Sequence, residues 1–215
     1  GKLMIPASNM KILTSAVALD ALGPDFTFET PLLVRGFRDD STIRGDLLVV
    51  GQGDPSVSDR LAGDAMIPLR AMADSLWERG IRVIVGRLVS HGNAFPDANA
   101  GFGWAWEDFE TSSGAFVDEL LFNEGVSEAH VRAGATSGQP VGARTTPATA
   151  YPRVRVEATT IDRGTGRDSI AQLELVKDTA SGEVVLTGTI PAGDSATLIA
   201  THPDPSAAYL AALRE

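Results

Sequence analysis

An apolar helix at the start of the sequence limits which folds this chain can adopt. Residues 8–22, SNMKILTSAVALDAL, are rich in residues that favour helix, and Gly23-Pro24 provides a stop. Apolar side chains cover most of the helix circumference, at positions 12, 13, 16, 17, 19 and 22. A helix of this kind is normally buried inside a domain. The rest of the sequence offers too few helices to surround it, so we expect this chain to hold only part of that domain.

The remaining sequence predicts two further units. Residues 26–90 show a β-β-α-β order, with a hairpin around FRDDS, a helix over 63–79 and a buried strand in IRVIVGRLVS. An irregular stretch rich in Gly, Pro and aromatic residues follows, and VDELLFNEGV then returns to strand. From about residue 125, short β segments separated by turns predict a small antiparallel module, and a final helix begins at 205.

Composition and charge exclude several classes of function. The 215 residues carry a net charge of −10, and clustered Lys and Arg of the kind that binds nucleic acid are missing. The sequence has no cysteine, and its three histidines show no metal-ligand spacing. No apolar run reaches the roughly 20 residues that span a bilayer. We therefore expect no metal and no nucleic-acid partner, and we find no encoded membrane anchor.

The motif with the most chemical content is S-x-x-K, formed by Ser8 and Lys11. Positions i and i+3 share one face of a helix, so the lysine amine could lie beside the serine hydroxyl and remove its proton. A lysine acts as a base only if burial or a second cation lowers its pKa. The alternative is structural, because serine is a preferred N-cap and lysine is a common helix residue. The motif alone leaves both interpretations open.

The wider sequence around this motif resembles a known family. MIPASNMKILTSAVALDALGPDFTFET resembles the active-site segment of the D-Ala-D-Ala carboxypeptidases of peptidase family S13, the class C low-molecular-mass penicillin-binding proteins. Three further stretches match in the same order: GDLLVVGQGDPS, IRVIVGRLVS and GWAWED. The resemblance covers residues 3 to about 125 and continues more weakly to the end.

This resemblance implies a role for three residues. Ser8 would be the acyl-enzyme nucleophile and Lys11 its general base, acting on peptidoglycan stem peptides without a cofactor. Asp108 would reach the rim of the active site and contact the substrate's free amino group, although a carboxylate that caps a turn is an equal alternative. An aromatic residue often lies five positions later in the family, but this chain has Ser113, which leaves substrate preference open. Trp104 and Trp106 could stack on glycans, but packing within their loop is favoured.

The resemblance also implies a fold and a division of the chain. The expected class is α+β, part of a split penicillin-binding transpeptidase-like domain that carries a large β-rich insertion. The predicted divisions are 1–27 in the catalytic domain, 28–124 as an α/β insertion, 125–195 as a small β-rich insertion, and 196–215 as the return into the catalytic domain. The family's S-x-N and K-T-G motifs are absent from these 215 residues, so we interpret the chain as a fragment that is inactive alone.

The function expected from these observations is a serine-type D-Ala-D-Ala carboxypeptidase or endopeptidase, located in the periplasm or otherwise outside the cytoplasmic membrane. β-Lactams would inhibit it by acylating the serine. The main alternative is a fragment or degenerate homologue that binds peptidoglycan or a protein partner without turnover. An S-x-x-K esterase or β-lactamase is a third possibility, which the long insertion disfavours.

Overall fold

The first folded unit is an α/β unit built on a hairpin. The computed structural model describes residues 5–92, 95, 103–105, 108, 111–164, 169–178 and 180–215. Strands β1 (Leu32–Asp39) and β2 (Thr42–Val50) pair antiparallel, and helices α2 (Asp59–Ala62) and α3 (Met66–Glu78) follow. Strands β3 (Val83–Val85) and β4 (Leu88–His91) then pair parallel with β2. The predicted β-β-α-β order is therefore confirmed.

Two predictions for the first unit are wrong in detail. The single buried strand expected in residues 81–90 is two short strands, and Val83 and Val85 are about half exposed. VDELLFNEGV is not a strand: it contains a 3-10 turn, Asn123–Gly125, in which Asn123 and Glu124 both have positive φ angles of 49° and 59°. A backbone in this left-handed region cannot continue a strand.

The described residues of the second unit form seven strands in two sheets. In one sheet, β9 (Gln172–Asp178) pairs antiparallel with one edge of β10 (Glu183–Pro191). Two short strands, β7 (Arg153–Val156) and β8 (Thr159–Ile161), pair with the other edge of β10 in parallel. The predicted antiparallel module is thus a mixed one, because residues 153–161 run in the same direction as β10.

The other sheet of this unit is antiparallel, with the order β11–β5–β6. Its strands are β5 (Val126–Arg132), β6 (Gly142–Thr146), which the sequence analysis missed, and β11 (Ser195–Thr201). Alternate side chains of the two sheets pack against each other, as expected for strands with one buried face. They form a shared core that includes Ala129, Val131, Leu186, Ile190 and Ala200.

The last helix, α4 (Pro205–Leu213), returns to the first unit. Asp204 caps it by accepting a hydrogen bond from Ala207 N–H at 2.8 Å, and proline occupies its first turn. Its buried residues join the core of the first unit, whose largest members are Leu69, Leu120, Phe122 and Tyr209. The division of the chain at residues 27, 124 and 195 stays a prediction. In the described chain, the last predicted segment, residues 196–215, contacts both units: β11 pairs with β5, and α4 packs on the α/β unit.

Helix α1 (Met10–Leu22) differs most from expectation. Every residue from Ile5 to Leu22 is exposed, including large apolar side chains such as Ile12, Val17 and Leu19, which are 60–69% exposed. The sequence predicts that α1 is buried, but the described part of this chain does not cover it. No helix in that part is long and apolar enough to cross a bilayer.

Candidate functional site

Ser8 and Lys11 meet at the entrance to α1. A 3-10 turn, Ala7–Asn9, runs directly into the helix, and Asn9 N–H closes it by donating to the Pro6 carbonyl at 3.0 Å. Lys11 Nζ donates a hydrogen bond to Ser8 Oγ at 3.3 Å. The i, i+3 spacing thus places a primary amine against a hydroxyl, which is the arrangement that a serine nucleophile and its base need.

Ser8 is not a helix cap in the structure, which was the alternative to a catalytic role. Pro6 and Asn9 occupy the N-cap positions of the 3-10 turn and of α1, and neither makes a side-chain capping bond. The hydroxyl of Ser8 is oriented instead toward Lys11, whose amine is its hydrogen-bond donor. Ser8 therefore caps neither helical segment.

The backbone before Ser8 is strained. Ala7 has a φ of 46°, in the left-handed region that costs a residue with a Cβ about 1–2 kcal/mol. Strained positions of this kind concentrate at functional sites, where they fix the direction of a reacting side chain. The strain at Ala7 lies directly before the hydroxyl that Lys11 contacts.

The pair is open to solvent in the described chain. Both Ser8 and Lys11 are exposed, as is the rest of α1. A lysine that acts as a base needs an environment that disfavours its charged form, such as burial or a neighbouring cation. The described residues supply one side of a site and leave the other side uncovered.

Asp108 makes local hydrogen bonds. Its carboxylate accepts from Ala105 N–H at 2.9 Å, and its carbonyl oxygen accepts from Thr111 Oγ1 at 2.8 Å. These are the hydrogen bonds of a carboxylate that caps a turn. The expected contact of Asp108 with substrate remains a prediction. Trp106 lies outside the described residues, and Trp104 is 37% exposed.

Hydrogen bonds hold the turn formed by Gly53, Asp54 and Pro55. Asp54 accepts from Ser56 N–H at 2.8 Å and forms a β-bridge with Leu120. In the described residues, no group of three His, Asp or Glu side chains is placed to hold a metal ion.

A second pair of a serine and a basic residue was missed by the sequence analysis. Ser127 Oγ and His202 Nε2 are 2.9 Å apart, and both residues are fully buried. Burial, with a smaller effect from the positive charge of Lys177, lowers the pKa of His202 to about 3. Because no substrate can reach a pair without exposed surface, this pair is structural. Its only sequence signal is that His202 directly follows an apolar strand.

Comparison with known proteins gives a consistent result. The chain matches the model of the D-Ala-D-Ala carboxypeptidase 3 (S13) family over residues 1–214. It is 30% identical to a D-alanyl-D-alanine carboxypeptidase of Actinomadura sp. (strain R39), over 96% of this chain and 38% of that protein. It is 35% identical over 105 residues to the D-alanyl-D-alanine carboxypeptidase DacB of Haemophilus influenzae, over 49% of this chain and 20% of that protein.

Solved structures give the same fold. The crystal structure of penicillin binding protein 4 (dacB) from Haemophilus influenzae is similar with a TM-score of 0.76 and 24% identity, over 98% of this chain and 45% of that one. A complex of the same protein with a novel β-lactam gives a TM-score of 0.66 and 22% identity, over 98% and 42% of the two chains. The chain spans less than half the length of the relatives it matches.

Proposed function

The chain belongs to the D-Ala-D-Ala carboxypeptidase 3 (S13) family, and from this premise we propose that it carries the nucleophile of a serine-type D-Ala-D-Ala carboxypeptidase or endopeptidase. The observation that supports the proposal is the contact between Lys11 Nζ and Ser8 Oγ at 3.3 Å, next to a strained residue. The substrates are peptidoglycan stem peptides, and the place of action is outside the cytoplasmic membrane, where that polymer lies.

The proposed reaction uses Ser8 and Lys11 in two steps. Lys11 removes the hydroxyl proton while Ser8 Oγ attacks the carbonyl carbon of the penultimate D-Ala. The peptide bond breaks, the departing amine takes the proton, and an ester to Ser8 remains. Water then hydrolyses the ester and releases the shortened peptide. The positive end of α1 favours the negative charge that develops near Ser8 during the attack.

We further propose that the chain works together with polypeptide outside these 215 residues. S-x-N and K-T-G are absent from the sequence, and α1 exposes apolar side chains that a neighbouring part of a catalytic domain would cover. In this arrangement residues 1–27 belong to the catalytic domain and the two β-containing units form its insertion. Asp108 lies on the insertion and contacts substrate at the rim.

Intact-mass spectrometry with benzylpenicillin tests the proposal. The 215-residue chain should show no adduct, whereas a longer polypeptide of the same protein that includes S-x-N and K-T-G should gain one penicillin. The adduct should be lost in Ser8→Ala and kept in Ser15→Ala, a matched serine on the same helix. If the longer polypeptide gains no adduct, Ser8 is not a nucleophile.

The second candidate function is binding without turnover. It is favoured by the absence of S-x-N and K-T-G from the chain and by the solvent exposure of Ser8 and Lys11. Co-sedimentation with purified peptidoglycan separates the two functions. Retention of the 215-residue chain by the polymer, equal for native and Ser8→Ala protein, together with no acylation of the longer polypeptide, would support binding alone.

A further inference from the structure

The open face of the β11–β5–β6 sheet carries a groove of about 550 Å³. Residues on this face alternate with the buried ones, so each strand presents every second side chain to solvent. The groove lies at the end of the sheet where β5 ends and where β6 and β11 begin, at a distance in sequence from Ser8 and Lys11. Its polar lining residues are His130, Arg132, Arg144, Ser195 and Thr197.

Two arginines of the groove have no partner among the described residues. Arg132 and Arg144 are exposed, and neither side chain makes a hydrogen bond, ion pair or ring contact with another described residue. Among the other described arginines this is true only of Arg214. The rest contact a carboxylate, a carbonyl or an aromatic ring, as the pairs of Arg87 with Asp46 and of Arg163 with Asp194 illustrate.

The two unpaired arginines lie on adjacent strands. Arg132 is directly opposite Gly142, and Arg144 is directly opposite His130, so the arginines are diagonal neighbours on one face. Long side chains at diagonal positions can reach a common ligand, since such positions are roughly 7–8 Å apart and their Cβ atoms somewhat closer. A protein with a net charge of −10 thus carries two unpaired arginines at diagonal positions on one face of a sheet.

The lining between the arginines is open and polar. Gly142 has no side chain, and a Cβ added there would meet its nearest neighbour, the Arg132 carbonyl oxygen, only at 4.0 Å. His130 is fixed across the sheet, because its ring nitrogens lie 3.2 Å from Thr197 Oγ1 and 3.0 Å from Thr146 Oγ1. One carboxylate on this face, Glu128, lies 3.6 Å from His130 Nε2 and is diagonal to Arg144, with which it forms no ion pair.

We infer that this groove is a binding site for a multivalent oxyanion, a ligand with two or more carboxylate or phosphate groups. Each guanidinium can donate two parallel hydrogen bonds to one such group. The hydroxyls of Ser195 and Thr197 can donate further bonds to the remaining oxygens. The site does not depend on the reaction proposed for Ser8, since none of its lining residues belongs to the α1 segment.

Isothermal titration calorimetry of the 215-residue chain tests this site. Pyrophosphate and citrate are the multivalent probes, and acetate is the monovalent comparison. We expect at least one multivalent probe to bind with one site per chain and more tightly than acetate. Arg132→Gln and Arg144→Gln should each weaken binding by about tenfold or more, the range expected for a lost charge-assisted contact. Preference for pyrophosphate or for citrate decides between phosphate and carboxylate as the group recognised.

Two matched variants separate a site from general attraction to positive charge. Arg214→Gln removes an equally unpaired arginine outside the groove and should leave the affinity unchanged. Gly142→Val keeps all charges but fills the groove, and it should weaken binding by about tenfold or more if the ligand lies there. Circular dichroism confirms that each variant is folded. Equal affinity in all four variants, or no binding of either multivalent probe at millimolar concentration, would overturn the inference.

Discussion

The buried His202 should make the folded chain sensitive to mild acid. An imidazole with its ordinary pKa of 6.5 gains most of a proton between pH 7 and pH 5, whereas in the folded chain burial holds the pKa of His202 at about 3. The unfolded chain therefore binds more protons across this range, and the free energy of unfolding falls as the pH falls. The loss from this one residue between pH 7 and pH 5 is about 2 kcal/mol.

Urea unfolding followed by circular dichroism at the two pH values measures this loss. Carboxylates also respond to acid, so the informative quantity is the difference between native protein and His202→Gln, whose pH-dependent loss should be smaller by about 2 kcal/mol. His91→Gln makes the same substitution at an exposed histidine and is the matched control for the change of residue type. If native protein and His202→Gln lose the same free energy, the imidazole is not held neutral, and the reasoning from burial fails.

Three further predictions concern stability and can be measured by the same unfolding experiment. Phe122→Ala empties a fully buried site and should cost about 3–5 kcal/mol, whereas Phe37→Ala, at a side chain 61% exposed, should change stability by less than about 0.5 kcal/mol. Gly45→Ala would place a Cβ 2.3 Å from a carbonyl oxygen of β1 and should cost about 1–3 kcal/mol, whereas Gly142→Ala enters open space and should be nearly neutral. Asp46→Asn weakens contacts with two arginines, which hold the pKa of the Asp46 carboxyl well below its usual range. The substitution should therefore destabilise the chain at pH values above the ordinary pKa of 3.8 and have no effect in acid. Its effect should also be smaller in high salt.

The sequence predicted those features that depend on neighbouring residues. The contact of Ser8 with Lys11 follows from helical spacing, and the start of α4 follows from Asp204-Pro205, a capping residue before a proline. Short β segments separated by turns predicted the strands of the second unit except β6.

Features that depend on distant partners were not predictable in this way. Alternation identifies the buried face of a strand but not its neighbour, so the parallel pairing of β7 and β8 with β10 left no local signal. The three left-handed residues of Asn123–Gly125 interrupt a run whose composition favours strand. Ser127 and His202 are 75 residues apart, and their contact exists only because β5 and β11 are neighbours.

The position of α4 has a consequence for synthesis of the chain on the ribosome. The core of the α/β unit contains Phe122 and Tyr209, so it cannot close until α4 has been made. Roughly 80 residues of the second unit must be translated in between, which takes about 4–16 s at typical rates of elongation. During that interval Leu69, Leu120 and Phe122 lack one of their covering elements. Of these two units, the one synthesised first is therefore expected to be completed second, and the nascent chain should be exposed to chaperones and proteases in that interval.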